Sequence, residues 1–346
     1  MRLRRPAFFL FFLLLINGCR SRDTRKLVLY TDTPESLTLE LARRFEEKHG
    51  IKVEAVMEGT SWLMTRLRAE QGRPIADVFM GASGTVPAMV LAREGILSAY
   101  TPLGLETMPT QEGPLWLRDP QWRWVGFGFA SLGLVYDRHE IPKGELPEHW
   151  DELADAKWKQ GLTIWDPSVS GTATSFLVAS LWRLISAGRG EEGGWAFLEA
   201  FHQNLKKYAE EGPPAFLVAH GVVRLGLHLD NQFLYYRRKV KENREKLSFY
   251  LPRPVFVFTD PVGLVADAPH PDEGKLFIDF LHSPEAQAIL SSTFWVKDDR
   301  GRIILPPEHP YSDSRQLVNS ALVMNFEWMA ENFDRARIYW QNHVEE

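Results

Sequence analysis

The sequence predicts an α/β fold with a mainly parallel sheet, and three observations carry that expectation. Short apolar runs bounded by polar loops recur along the 346 residues. Each run is followed by a segment with apolar residues at helical spacing. The order strand, polar loop, helix then repeats, which is the signature of an α/β domain. The composition, 45% hydrophobic and 25% charged, is that of a globular protein.

Leu27-Val28-Leu29-Tyr30 reads as a buried parallel strand. Thr31-Asp32-Thr33-Pro34 follows, with Thr33 suited to cap a helix and Pro34 suited to its first turn. Leu37, Leu41 and Phe45 mark the inner face of that helix, charged residues fill its outer face, and Gly50 stops it. Ile51 to Val56 alternates as a second strand. Gly59-Thr60-Ser61 leads into a helix with Leu63 and Leu67 on one face. Ala76 to Met80 is a third strand, followed by Gly81-Ala82-Ser83-Gly84-Thr85 and a helix carrying Val86, Met89 and Val90.

Three loops of one type thus stand where ligands bind in such sheets, at the carboxyl ends of the strands. Thr31 to Thr33, Gly59 to Ser61 and Gly81 to Thr85 offer hydroxyls and backbone donors beside helix N-termini, whose unpaired N–H groups and partial positive charge suit anions. Each loop alone reads as an ordinary cap or turn. Three in register leave a shared cleft and ordinary capping equally open.

The pattern then restarts. Trp124 to Tyr136 reads as crossing strands. Leu162 to Trp165 is a strand, ending in Asp166-Pro167-Ser168-Val169-Ser170-Gly171-Thr172 and a helix with Phe176, Leu177, Leu181 and Leu184. Gly221 to Leu229 is a strand ending in Asp230-Asn231-Gln232, and alternation with Leu227 and Leu229 leaves the face of His228 open. Arg237 to Lys246 is basic with Glu242 and Glu245 interspersed, and reads as a solvated helix face. Val255 to Phe258 is a strand, followed by Thr259-Asp260-Pro261-Val262-Gly263. Helices follow over Glu273 to Leu281 and Pro284 to Leu290, and a last one packs Phe326, Met329, Phe333 and Trp340 into the core.

The N-terminus carries a separate signal. Arg2, Arg4 and Arg5 precede the apolar run Ala7 to Ile16, which is shorter than the roughly 20 residues a spanning helix needs and reads as an export signal. The alternative is an uncleaved anchor. Cys19 is the only cysteine, so no intramolecular disulfide can form. With Ile16-Asn17-Gly18 before it, the segment resembles the bacterial lipobox, which implies cleavage before Cys19 and lipidation there, with polar residues 19–26 as a tether. The formal charge is −5, and removing the three arginines of residues 1–18 leaves −8. So acidic a body repels phosphate polymers, and nucleic acid is not an expected partner.

Phe45-Glu46-Glu47-Lys48-His49-Gly50-Ile51-Lys52-Val53, Ala76-Asp77-Val78-Phe79, Asp166-Pro167-Ser168-Val169-Ser170-Gly171-Thr172-Ala173 and Phe277 to Gln287 together resemble the type 2 periplasmic solute-binding proteins of ABC transporters, in the ferric-iron, phosphonate and organophosphate branch. The resemblance runs from Leu27 to the end of the sequence. It implies two α/β lobes joined by crossing strands, 27–124 with 255–346 and 125–254, closing by a hinge on a solute. It further implies an ABC permease as partner, a monomer, an extracytoplasmic location and no cofactor.

Ferric-binding members use a histidine or glutamate after the first strand and a tyrosine pair that matches Asp230 and Asn231 here, with Tyr235 and Tyr236 further on. The sequence departs from that pattern. The organophosphate and phosphonate branch implies a small anionic solute held by Ser170, Gly171 and Thr172, with Thr31, Asp32, Thr33, Thr60, Ser61 and Ser83 from the opposite lobe and Asp230 and Asn231 reading the organic part. Iron or a ferric complex is the alternative ligand. A sensing receptor and a secreted hydrolase are the alternative classes, although the sequence holds no Gly-x-Ser-x-Gly elbow, His-Glu-x-x-His or Gly-x-x-x-x-Gly-Lys motif.

Overall fold

The computed structural model describes residues 25–81, 84–297 and 303–344. The export segment, Cys19 and Ser83 lie outside those residues.

In chain order the elements are β1 (Lys26–Thr31), α1 (Glu35–His49), β2 (Lys52–Met57), α2 (Thr60–Ala69), β3 (Val78–Met80), α3 (Thr85–Arg93) and β4 (Leu97–Ser98). A small hairpin, β5 (Gln111–Glu112) and β6 (Leu115–Trp116), precedes the long β7 (Val125–Asp137). The middle holds β8 (Leu162–Thr163), α4 (Gly171–Ser186), α5 (Gly190–Gln203), α6 (Pro214–Ala219), β9 (Leu225–Leu229), α7 (Asp230–Lys239) and β10 (Leu247–Tyr250). The last part is β11 (Phe256–Val265), α8 (Pro271–Leu281), α9 (Pro284–Leu290), β12 (Val296–Lys297), β13 (Ile303–Ile304), α10 (Ser314–Asn319) and α11 (Phe326–His343).

One mixed sheet runs through the molecule in the order β2-β1-β3-β11-β7-β9-β8, with β4 on β11 and β10 on β7. Parallel pairing joins β1 to β2, β1 to β3 and β8 to β9; β7 and β11 are antiparallel to each other and to every strand they meet. These two strands are the crossing pair. The far end of β11 carries β3 and the far end of β7 carries β9, so each strand belongs to both lobes. Their register shifts between Asp260 and Pro261, a bulge that admits a proline inside a strand. The strand read over Val255 to Phe258 thus continues through Thr259 to Gly263 within β11.

Local chemistry explains the helices that frame the cleft. Leu37, Leu41 and Phe45 are buried on α1, and Gly50 ends it in the left-handed region at φ 64°. Pro34 is its N-cap, and Thr33 makes no cap bond, contrary to expectation. Ser170 caps α4 by accepting from the Ala173 amide at 3.2 Å. The basic stretch divides: Arg237 to Lys239 end α7, and only the remainder to Lys246 is turn and loop.

The C-terminal helix buries Phe326, Met329, Phe333 and Trp340, and packs on α3 of one lobe and α4 of the other. Residues 303–322, numbered above with the first lobe, touch the second: Tyr311 Oη accepts from the Leu251 amide at 3.0 Å, and His309 Nε2 lies 3.2 Å from Asp230.

Candidate functional site

A cleft of about 650 Å³ opens between the lobes. Its first wall is the end of β1 and the starts of α1 and α2. Thr31 Oγ1 accepts from the Thr33 amide at 3.0 Å and shares a hydrogen bond with Thr33 Oγ1 at 2.8 Å, and that hydroxyl bonds Thr38 Oγ1 at 2.6 Å. This chain of threonines ties the loop to α1. Thr60 Oγ1 donates to Asp32, tying the same loop to α2. Met57, Glu58 and Gly59 complete the wall.

The second wall holds Trp165, Ser170, Thr172, His228, Gln232, Tyr235 and Tyr236. The turn before α4 is set by Asp166, whose Oδ1 accepts from the Ser168 amide at 2.7 Å and whose carbonyl accepts from the Ser170 amide at 2.9 Å. Gln232, Tyr235 and Tyr236 stand at i, i+3 and i+4 of α7, hence on one face. His228 is buried on β9. Its Nδ1 is 3.0 Å from the Leu229 carbonyl oxygen, while its buried Nε2 has no protein partner. Burial holds its pKa down to about 4, so the ring is neutral near pH 7.

The walls touch at both ends of the cleft. Tyr235 Oη accepts from the Ser36 amide at 3.3 Å and from Ser36 Oγ at 2.9 Å. Burial pushes the Tyr235 pKa up, but hydrogen bonds from Lys239 and Ser36 outweigh it and hold the group below its ordinary value. At the other end the Ser61 amide donates to Val169 O at 3.4 Å. There the contact depends on two glycines. A Cβ on Gly59 would stand 2.9 Å from Val169 O, and one on Gly171 would stand 2.8 Å from Thr60. The lobes are thus in contact at both ends of the cleft.

Thr31, Asp32, Thr33, Thr60, Ser170 and Thr172 all line this cleft. The other expected site residues stand elsewhere. Gly171 is the close-contact residue just described. Ser61 is turned to a separate cavity of about 230 Å³ behind α2, shared with Arg68 and Asp334. Asp230 and Asn231 are the first residues of α7 and buried behind the wall. Asp230 accepts from the Ser131 amide at 3.1 Å, Ser131 Oγ at 2.5 Å and the Asn231 amide at 2.6 Å, and meets His309. Asn231 Oδ1 accepts from the Gln232 amide at 2.6 Å. Both residues build the start of α7, and neither faces the cleft. Asp260, at the bulge of β11, is fully buried with neither carboxyl oxygen bonded. Burial, then the nearby Asp230 and Asp32, raise its pKa well above the usual carboxylate value.

Among the described residues the lining contains no lysine and no arginine. Backbone supplies partial positive charge instead: Pro34, Gly59 and Ser170 are the N-caps of α1, α2 and α4. Three helices thus start beside one space, where N-terminal amides and helix dipoles favour an anion.

Two lobes joined by a crossing strand pair, with a cleft between them lined by hydroxyls and carboxylates among apolar groups, define a solute-binding protein of the periplasmic-binding fold. Residues 73–296 match the family described as bacterial extracellular solute-binding protein, and the chain belongs to that family. It is 28% identical over 281 residues to iron uptake protein A1 of Synechocystis, covering 78% of this chain and 74% of that one. It is 24% identical over 274 residues to a putative 2-aminoethylphosphonate-binding periplasmic protein of Salmonella typhimurium, covering 77% and 74%. Among solved structures, the periplasmic binding protein AfuA of Actinobacillus pleuropneumoniae, with fructose-6-phosphate bound, superposes with a TM-score of 0.76 at 22% identity over 92% of this chain and 98% of that one. The chain is an extracytoplasmic solute-binding protein of the kind that serves ABC importers.

Proposed function

We propose that this protein is the lipid-anchored, monomeric receptor of an ABC importer, and that it delivers a small organic phosphate or phosphonate to the permease without transforming it. The observation that carries the reading is the convergence of three helix N-termini and their hydroxyls on a cleft with no cationic side chain among its described lining residues. A phosphoryl group offers the acceptor oxygens that such amides and hydroxyls satisfy. Asp32 and Glu58, on the same lining, suit hydroxyls or an amine on the organic part. Relatives named for 2-aminoethylphosphonate and phosphoglycerate support the same class of solute.

Calorimetric titration of a phosphoryl ligand tests the reading. Replacing Thr172 with Ala removes a donor at the start of α4, and each lost hydrogen bond to a charged group costs about 1.5–3 kcal/mol. Ser170→Ala also costs about 1 kcal/mol of stability by uncapping α4, so Thr172→Ala is the cleaner variant. Unchanged affinity in both contradicts the site. The anchor is tested separately: Cys19→Ser releases the protein from membranes, and persistent attachment contradicts lipidation.

One observation favours a second reading. Tyr235, Tyr236, Asp32 and Glu58 give the cleft hard oxygen donors suited to ferric iron, the metal named for the Synechocystis relative. Against it, Tyr235 is bonded to Ser36, and among the described residues no three His, Cys, Asp or Glu side chains gather at metal-binding spacing.

A further inference from the structure

The cleft holds one buried polar atom that the protein itself leaves unpaired. His228 is the next-to-last residue of β9, opposite Gly133 of β7, and 1% exposed. A carbonyl oxygen cannot donate, so the 3.0 Å contact with Leu229 O makes Nδ1 the protonated nitrogen. Nε2 then carries a bare lone pair. It is buried without a protein partner, on a ring that lines the cleft. The ring is neutral, so it has no second proton to offer a phosphoryl oxygen. It can only accept.

The neighbouring polar groups point the same way. Asp32 and Glu58 are acceptors, and donors from helix N-termini are grouped at the starts of α1, α2 and α4. The cleft therefore has a donor-rich part for an anion and a set of acceptors that an anion cannot satisfy. A buried acceptor left unpaired costs free energy, so a solute that meets it with a donor is favoured over one that does not.

We propose that His228 is a specificity-determining residue: its Nε2 accepts a hydrogen bond from a hydroxyl or ammonium group of the solute, so that the cleft takes phosphoryl compounds bearing such a donor and discriminates against those ending in a methyl group. This rests on the phosphoryl reading of the cleft given above.

The test uses the full chain and three phosphonates of nearly equal size: 2-aminoethylphosphonate, 2-hydroxyethylphosphonate and propylphosphonate. Glycerol 3-phosphate and propyl phosphate form the matching ester pair. With the wild-type protein, the donor-bearing compound of each series binds about tenfold or more tightly than its methyl-ended partner, the scale set by stranding a buried acceptor. Whether the amine or the hydroxyl is preferred names the donor. In His228→Phe the preference falls to within about twofold while propylphosphonate still binds. Nitrogen-15 NMR of the histidines in the wild-type protein gives a readout that needs no variant: the Nε2 resonance moves toward the hydrogen-bonded range with the donor-bearing ligand and stays in place with propylphosphonate.

Equal affinity for donor-bearing and methyl-ended ligands in the wild type overturns the proposal, as does an unmoved Nε2 resonance or a preference that survives in His228→Phe. Failure of every phosphoryl compound to bind overturns the phosphoryl reading and this proposal together, and is told apart because the methyl-ended ligands fail as well.

Discussion

The two walls of the cleft differ in how far they are finished. On the first, the threonine chain from Thr31 to Thr38 and the Thr60 to Asp32 bond join loop to helix before any solute arrives. On the second, His228 keeps an unpaired Nε2, and the phenols and amide of α7 project from one helix face backed by the buried Asp230 network. The first wall is tied together by its own hydroxyls, and the second keeps one buried acceptor without a protein partner. The comparison teaches that preorganisation is uneven across the cleft: one wall is bonded internally, and the other leaves a buried acceptor unmet.

The largest expected effect breaks the backing of the second wall. Asp230→Ala strands Ser131 and His309 and removes the carboxylate at the start of α7, so stability falls by about 3 kcal/mol or more, read from the denaturant midpoint. Asp230→Asn, which keeps the shape, loses less. A ligand contact would instead show lost affinity at unchanged stability.

Next is the joint between the walls. Gly171→Ala drives a Cβ into Thr60 across the cleft, and overpacking of this kind costs about 1–3 kcal/mol. The strain falls on the closed form, so affinity drops by about five- to a hundredfold with a smaller change in the unliganded melting temperature. Equal losses in both would place the contact in the open form as well.

A smaller effect concerns the hinge under both walls. Asp260 holds its proton in the folded state above the range where the unfolded carboxyl loses it. Stability from this group is therefore complete below the ordinary carboxylate pKa and is lost as pH rises. Asp260→Asn raises the melting temperature at pH 7, and the gain vanishes near pH 4. No gain at pH 7 would mean that the carboxyl is stabilised by a group brought in with the solute or solvent.

The smallest is the latch at the other rim. Tyr235→Phe removes the acceptor for Ser36 and costs about 1 kcal/mol, seen by stopped-flow as a severalfold faster solute release with little change in association.

The same contrast separates what the sequence disclosed from what it hid. The α/β order and the Thr31, Thr60 and Ser170 to Thr172 loops were legible because capping chemistry is local and strand ends face the cleft. Ser61 was misplaced by one residue of helix rotation, about 100°, which turns it behind α2. Asp230 and Asn231 looked like a strand-end loop, yet α7 starts at Asp230, and its side chain is claimed by Ser131 and His309, 99 and 79 residues away. Once α7 starts there, Gln232, Tyr235 and Tyr236 fall on one face, a spacing the sequence carried unread. The face of His228 is not legible because alternation in a short strand does not say which face is the cleft. The strand read to Phe258 runs on past Pro261 because a bulge absorbs the proline.

The most direct test of the account is a thermal-shift measurement on the full chain with sugar phosphates, aminoalkylphosphonates, glycerophosphodiesters, inorganic phosphate and ferric citrate, each well above its dissociation constant. A ligand at one hundred times that constant stabilises by about 2.7 kcal/mol. The account predicts a raised melting temperature with at least one phosphorylated or phosphonylated compound that carries a hydroxyl or amine. A rise with ferric citrate alone would contradict it and move the site to Tyr235, Tyr236 and the cleft carboxylates.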